Sequence, residues 1–133
     1  MKKVSKSIIR LSVVALVALS VVPISPAQAN DRDVIREGNC GRASDWKLKL
    51  SPENGRLEVE WEVDQNVVGD TWRFRITDNG TQILAGQRTT TAPSGSFEAR
   101  TVTANRPGSD NVVATATNLR TGEFCRGTAT ATF

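Results

Sequence analysis

The chain has 133 residues, 17 Lys+Arg against 14 Asp+Glu, two cysteines, and neither histidine nor tyrosine. Without histidine, Ser-His-Asp and Cys-His nucleophile systems and histidine-ligated zinc are all excluded. No phosphate-cradling Gly-rich loop or calcium-loop pattern occurs, so the sequence reads as non-enzymatic and as requiring no cofactor.

Met1-Lys2-Lys3, with Lys6 and Arg10, forms a basic head. The apolar run Leu11–Val22 follows, then Pro23, Pro26 and the small-residue triplet Ala27-Gln28-Ala29. This is the pattern of an export signal cleaved after Ala29. The apolar run is shorter than the roughly 20 residues a membrane span needs. Residues 1–29 are therefore read as a signal peptide of a secreted protein with no span in the mature chain. Lys2, Lys3, Lys6 and Arg10 depart with the leader, leaving 13 basic against 14 acidic side chains and a formal charge of −1. Nucleic acid is not an expected partner, because overall basicity supplies most of such binding.

Residues 30–43 are polar, carry little apolar period and read as a flexible lead-in. From residue 44 the chain alternates with period two, as strands with one buried face do. Trp46, Leu48 and Leu50 alternate with Lys47 and Lys49. After the turn Ser51–Gly55, Leu57, Val59, Trp61 and Val63 alternate with Glu58, Glu60 and Glu62. Leu50 opposite Leu57 sets a register in which Trp46 meets Trp61, Lys49 meets Glu58 and Lys47 meets Glu60. That pairing makes the glutamates a solvated strand face with lysine partners rather than a catalytic or metal-binding set.

Trp72, Phe74 and Ile76 point inward from the next strand, with Arg73 and Arg75 outward. Asn79-Gly80 supplies the two positive-φ residues of a type I′ hairpin turn. With that turn as the loop, Ile76 faces Ile83 and Phe74 faces Ala85. Thr89–Gly95 is a loop, Phe97–Thr101 a less cleanly patterned strand, and Asn105–Asp110 a turn cluster. The last two strands, 111–117 and 124–133, place Val112, Ala114, Ala116, Cys125, Gly127, Ala129, Ala131 and Phe133 inward. In an exported chain the even pair Cys40 and Cys125 reads as one disulfide.

Seven short strands in about a hundred residues imply an all-β, seven-stranded antiparallel two-sheet sandwich over residues 44–133. Trp72-Arg73-Phe74-Arg75-Ile76 before an Asn-Gly turn, with Ala114–Asn118 before a Gly-containing hairpin, resembles the central hairpins of immunoglobulin-like and fibronectin type III-like domains. The chain departs from antibody-type domains in its cysteines, which precede the first strand and open the last. In sandwiches of this kind those two points lie close together, which the resemblance takes as support for the bridge. The chain is also similar to small secreted bacterial proteins, a likeness that carries no activity with it.

Two surfaces are candidates for binding. The alternation puts Arg73, Arg75, Arg88 and Arg126 on one outer face among threonines, without an acid, while the other face mixes Lys47, Lys49 and Arg100 with Glu58, Glu60, Glu62 and Glu98. The loops 65–69 and 118–123 should share one end of the sandwich. There Val67, Val68, Leu119 and Arg120 form a candidate tip, unless the two valines tuck inward, which is the expectation. Trp46, Trp61 and Trp72 are in phase with the core and are read as packing residues. The leading expectation is a monomeric, non-catalytic binding or adhesion module for an anionic envelope polymer or a secreted partner. The alternatives are an inhibitor of an extracellular enzyme such as a protease, presenting Thr89–Gly95, and a structural surface component.

Overall fold

The computed structural model describes residues 32–133; the expected leader, residues 1–29, lies outside them. Eight strands follow in order: β1 Val34–Asn39, β2 Asp45–Glu53, β3 Arg56–Asp64, β4 Thr71–Asp78, β5 Thr81–Thr89, β6 Ser96–Ala104, β7 Asp110–Asn118 and β8 Phe124–Ala131. They form two four-stranded sheets, β1-β2-β3-β6 and β5-β4-β7-β8, with every neighbouring pair antiparallel. No helix interrupts them among the described residues. The alternation explains the layering: Leu48, Leu50, Leu57, Val59, Trp61 and Val63 on one sheet face Trp72, Phe74, Ile76, Val112, Ala114 and Ala116 on the other, all buried.

Four features differ from the sequence expectation. Eight strands replace seven, because Val34–Asn39, expected in the loose lead-in, pairs with β2 from Val34↔Leu50 to Asn39↔Asp45. It lies at the sheet edge, where both faces are partly wet, so it lacks the alternation of a half-buried strand.

The β2–β3 register is displaced by two residues. Leu50 pairs with Val59, Leu48 with Trp61, Lys49 with Glu60 and Lys47 with Glu62. The loop is the two-residue Asn54-Gly55, with φ of 50° and 75°, rather than the five-residue turn expected. A two-residue loop with both φ positive matches strand twist and lets the ladder run on through Pro52↔Leu57. Pro52 fits there because β1 pairs only as far as Leu50 and leaves that edge open. A shift of two preserves every face, and the Trp46 and Trp61 rings still meet diagonally at 5.7 Å.

At the β4–β5 hairpin, Asn79-Gly80 is the turn, but a bulge between Ile76 and Thr77 puts Ile76 opposite Leu84 and Phe74 opposite Gly86. One extra residue, Ile83, reverses the face of everything beyond it on β5. Fourth, Val67 and Val68 do not tuck into the sandwich end; they are 43% and 56% exposed.

Cys40 and Cys125 are bonded, with Cα atoms 4.4 Å apart, and tie the β1–β2 connector to β8. The Gly41 N–H donates to the Phe124 carbonyl at 2.9 Å beside the bridge. The Glu123 carboxylate completes the seam, accepting from Ser44 Oγ at 2.6 Å and from the backbone N–H groups of Arg42 and Ser44 at 2.8 and 3.1 Å. Trp46 packs in the same seam between the two strands that flank it. A Cβ on Gly38 or on Gly127 would come within 2.7 Å of its ring.

Candidate functional site

On the outer face of the β5-β4-β7-β8 sheet, register fixes each side chain's neighbours. Arg73 stands between Gln87 on β5 and Thr117 on β7, and Thr117 is opposite Phe124 on β8. One row on, Arg75 stands between Ala85 and Thr115, and Thr115 is opposite Arg126. Arg73, Arg75 and Arg126 are exposed while Thr115 and Thr117 are half-buried between them. Arg75 is steadied by donating from Nε to Gln82 Oε1 at 3.1 Å. No described carboxylate forms an ion pair with Arg73, Arg75 or Arg126. A depression of about 440 Å³ opens on this face, lined by Arg73, Arg75, Ala85, Gly86, Gln87, Thr115 and Thr117.

Arg88 is not part of this surface. The bulge sets it opposite Trp72, whose side chain points into the core. Its guanidinium therefore leans over the core side of the edge strand and caps the Phe74 ring at 5.2 Å. Three of the four candidate arginines share a face, and the fourth seals the sandwich edge.

The other sheet's outer face is more acidic than the sequence expectation of a mixed surface. The expected cations are paired: Lys47 with Glu62 at 3.3 Å, Lys49 with Glu60 at 3.2 Å and Asp33 at 3.5 Å, and Arg100 with Glu58. The register adds Glu37, Asp45, Glu53 and Asp64 to that face, against one further cation, Arg56. A depression of about 460 Å³ is lined by Glu37, Asn39, Asp45, Lys47, Glu62 and Asp64. Glu98, opposite Glu62, is held above the usual carboxylate range by burial and by Glu60 and Glu62. The sandwich thus carries charge of opposite sign on its two outer faces.

The loop tip rests on a polar network that no sequence motif announces. Asp70 is buried and accepts from Gln65 Nε2 at 2.6 Å, Asn118 Nδ2 at 3.0 Å, and Arg120 through Nε at 2.8 Å and a terminal nitrogen at 2.6 Å. The hydrogen bonds from Arg120, then those from Asn118 and Gln65, hold its carboxyl well below the usual range. Gln65 in turn accepts from Trp72 Nε1 at 2.9 Å, connecting the tip to the core. Arg120 is therefore committed to Asp70, and Val67, Val68 and Leu119 stand exposed on a braced platform.

At the opposite end Asp78 and Asp110 are both fully buried, with Arg106 Nε 3.3 Å from Asp78. Burial and the adjoining Asp110 carboxyl push Asp78 up to about 6, against the opposing effect of Arg106. Among the described residues, no three His, Cys, Asp or Glu side chains converge to hold a metal ion, and no helix is long and apolar enough to cross a membrane.

The chain matches no family model, no curated protein and no solved structure.

Proposed function

We propose that this chain is an exported, non-catalytic immunoglobulin-like module whose β5-β4-β7-β8 face docks an anionic polymer of the cell envelope or its surroundings. The observation that carries the reading is the acid-free cluster of Arg73, Arg75 and Arg126 across three adjacent strands. Guanidinium forks pair bidentately with carboxylate and phosphate, and a field of one sign concentrates counter-charged polymer even when net charge is near zero. The fold assignment draws on strand order: without β1, the sheets β2-β3-β6 and β5-β4-β7-β8 follow the order of a fibronectin type III domain. β1 is then an added edge strand.

The inhibitor reading has less support. Thr90 is buried, and Thr91 and Gly95 close a tight turn through the Gly95 N–H to Thr91 carbonyl bond at 2.8 Å, leaving no long exposed loop to present. A second reading, self-assembly into a surface component, draws on the opposite charge of the two outer faces; it would appear as salt-sensitive self-association in sedimentation velocity.

The test of the main reading is co-sedimentation of the leader-free protein with isolated envelope at low and high salt. Retention lost at high salt, and lost in Arg73→Ser/Arg75→Ser, is the expected result. Equal retention of wild type and variant would overturn it.

A further inference from the structure

The arginines are not the only unusual groups on the docking face. Phe124 is 49% exposed and stands on β8 directly opposite Thr117. It points outward with Arg126, two residues along the same strand. Its backbone is fixed by the Gly41 hydrogen bond and by the neighbouring Cys125 bridge, so the ring is presented from a rigid strand. An exposed ring set among guanidinium and hydroxyl groups adds an apolar contact to an otherwise polar surface.

The register sets six outward side chains in two rows across three strands: Thr115 and Thr117, half-buried, on β7, with Arg73 and Arg75 on β4 to one side and Phe124 and Arg126 on β8 to the other. With strands about 4.8 Å apart, the outer side chains stand roughly 10 Å apart across β7, and successive outward residues repeat every 7 Å or so along each strand. That spacing admits one flat sugar ring over the two threonines, with guanidinium groups on both sides and an aromatic ring at one corner.

We propose that the polymer is an acidic polysaccharide of the polyuronate type, one chain lying along β7. This deepens the docking reading above and rests on it. The C–H face of a pyranose ring carries partial positive charge and packs on the negative face of the Phe124 ring. Its carboxylates match the guanidinium forks. The Thr115 and Thr117 hydroxyls both donate and accept toward ring hydroxyls. A bare polyphosphate would use the arginines and the threonine O–H donors and leave Phe124 idle.

The experiment measures binding of the protein to polygalacturonate, to its fully methyl-esterified form and to inorganic polyphosphate, at fixed low salt. The expected result is binding to polygalacturonate, weakened at least tenfold by esterification. Phe124→Ala should weaken polygalacturonate binding at least fivefold and leave polyphosphate binding unchanged. Arg73→Ser/Arg75→Ser should weaken both. Equal circular dichroism and melting of the variants checks that the fold is intact. If Phe124→Ala leaves polygalacturonate binding intact, or if polyphosphate is preferred, the sugar assignment is overturned while docking of anions stands. If no polyanion binds in an arginine-dependent way, the docking reading is overturned with it.

Discussion

Gly127 tests the packing of the seam that ties β1 and β2 to β8. A methyl group there would stand 2.7 and 2.8 Å from two carbons of Trp46 and 2.8 Å from one of Trp61, whereas carbon contacts relax at about 3.5–4.0 Å. Trp61 is fully buried and has no room to retreat, and Trp46, partly buried, already lies against Gly38. β8 itself is held by its ladder with β7 and by the Cys40–Cys125 bond. Overpacking of this kind costs about 1–3 kcal/mol, and with Trp61 enclosed and Trp46 packed against Gly38 we expect Gly127→Ala to fall near 2. Urea unfolding followed by tryptophan fluorescence, at unchanged slope, reads the loss as a lower midpoint. Trp46→Leu, costly alone, should relieve part of the clash, so the double variant should be more stable than the sum of singles predicts by about 1 kcal/mol. A Gly127→Ala protein within about 0.5 kcal/mol of wild type, or strict additivity in the cycle, would refute the account of the seam.

Three further outcomes follow from the polar interior and the bridge. Asp78 has a raised folded-state pKa of about 6, so its contribution is fully present below the usual aspartate value and is lost as pH rises through 6. Asp78→Asn should therefore stabilise the protein at pH 7.5 by on the order of 1–3 kcal/mol and do little near pH 4, read from melts across that range. Asp70 has the opposite sign, because its hydrogen bonds lower its pKa. Asp70→Asn should melt below wild type at pH 7, with the gap closing as pH falls below 4. The bridge closes a separation of 85 residues. Cys40→Ala/Cys125→Ala should lose up to about 4–5 kcal/mol by chain-entropy reasoning, measured by denaturant unfolding.

The sequence made the faces legible wherever one side of a strand is buried and the other wet. Trp46 to Val63 and Trp72 to Ile76 alternate cleanly, and a register shift of two left every one of those side chains on its expected side. Arg88 was misplaced because a single bulged residue, Ile83, carries no compositional mark and yet reverses all that follows on β5. β1 carries no alternation because Arg36 and Glu37, on opposite faces of an edge strand, are both exposed. The Asp70 and Glu123 networks were hidden for another reason. Gln65, Asp70, Asn118 and Glu123 are ordinary loop residues in sequence, and only the convergence of several loops at one end of the sandwich turns them into buried partners. The exposed Phe124 does carry a sequence signal: it falls on the outward phase of a strand whose inward residues are Cys125, Gly127 and Ala129.

The central claim is that the β5-β4-β7-β8 face is the docking surface, and amide-resolved NMR titration with a polyanion tests it most directly. The account predicts shifts concentrated at residues 73, 75, 115, 117, 124 and 126, saturating together and reversed by salt. Shifts confined to the Val67–Val68 and Leu119 tip or to the β1-β2-β3-β6 face, or no shifts at all, would contradict it.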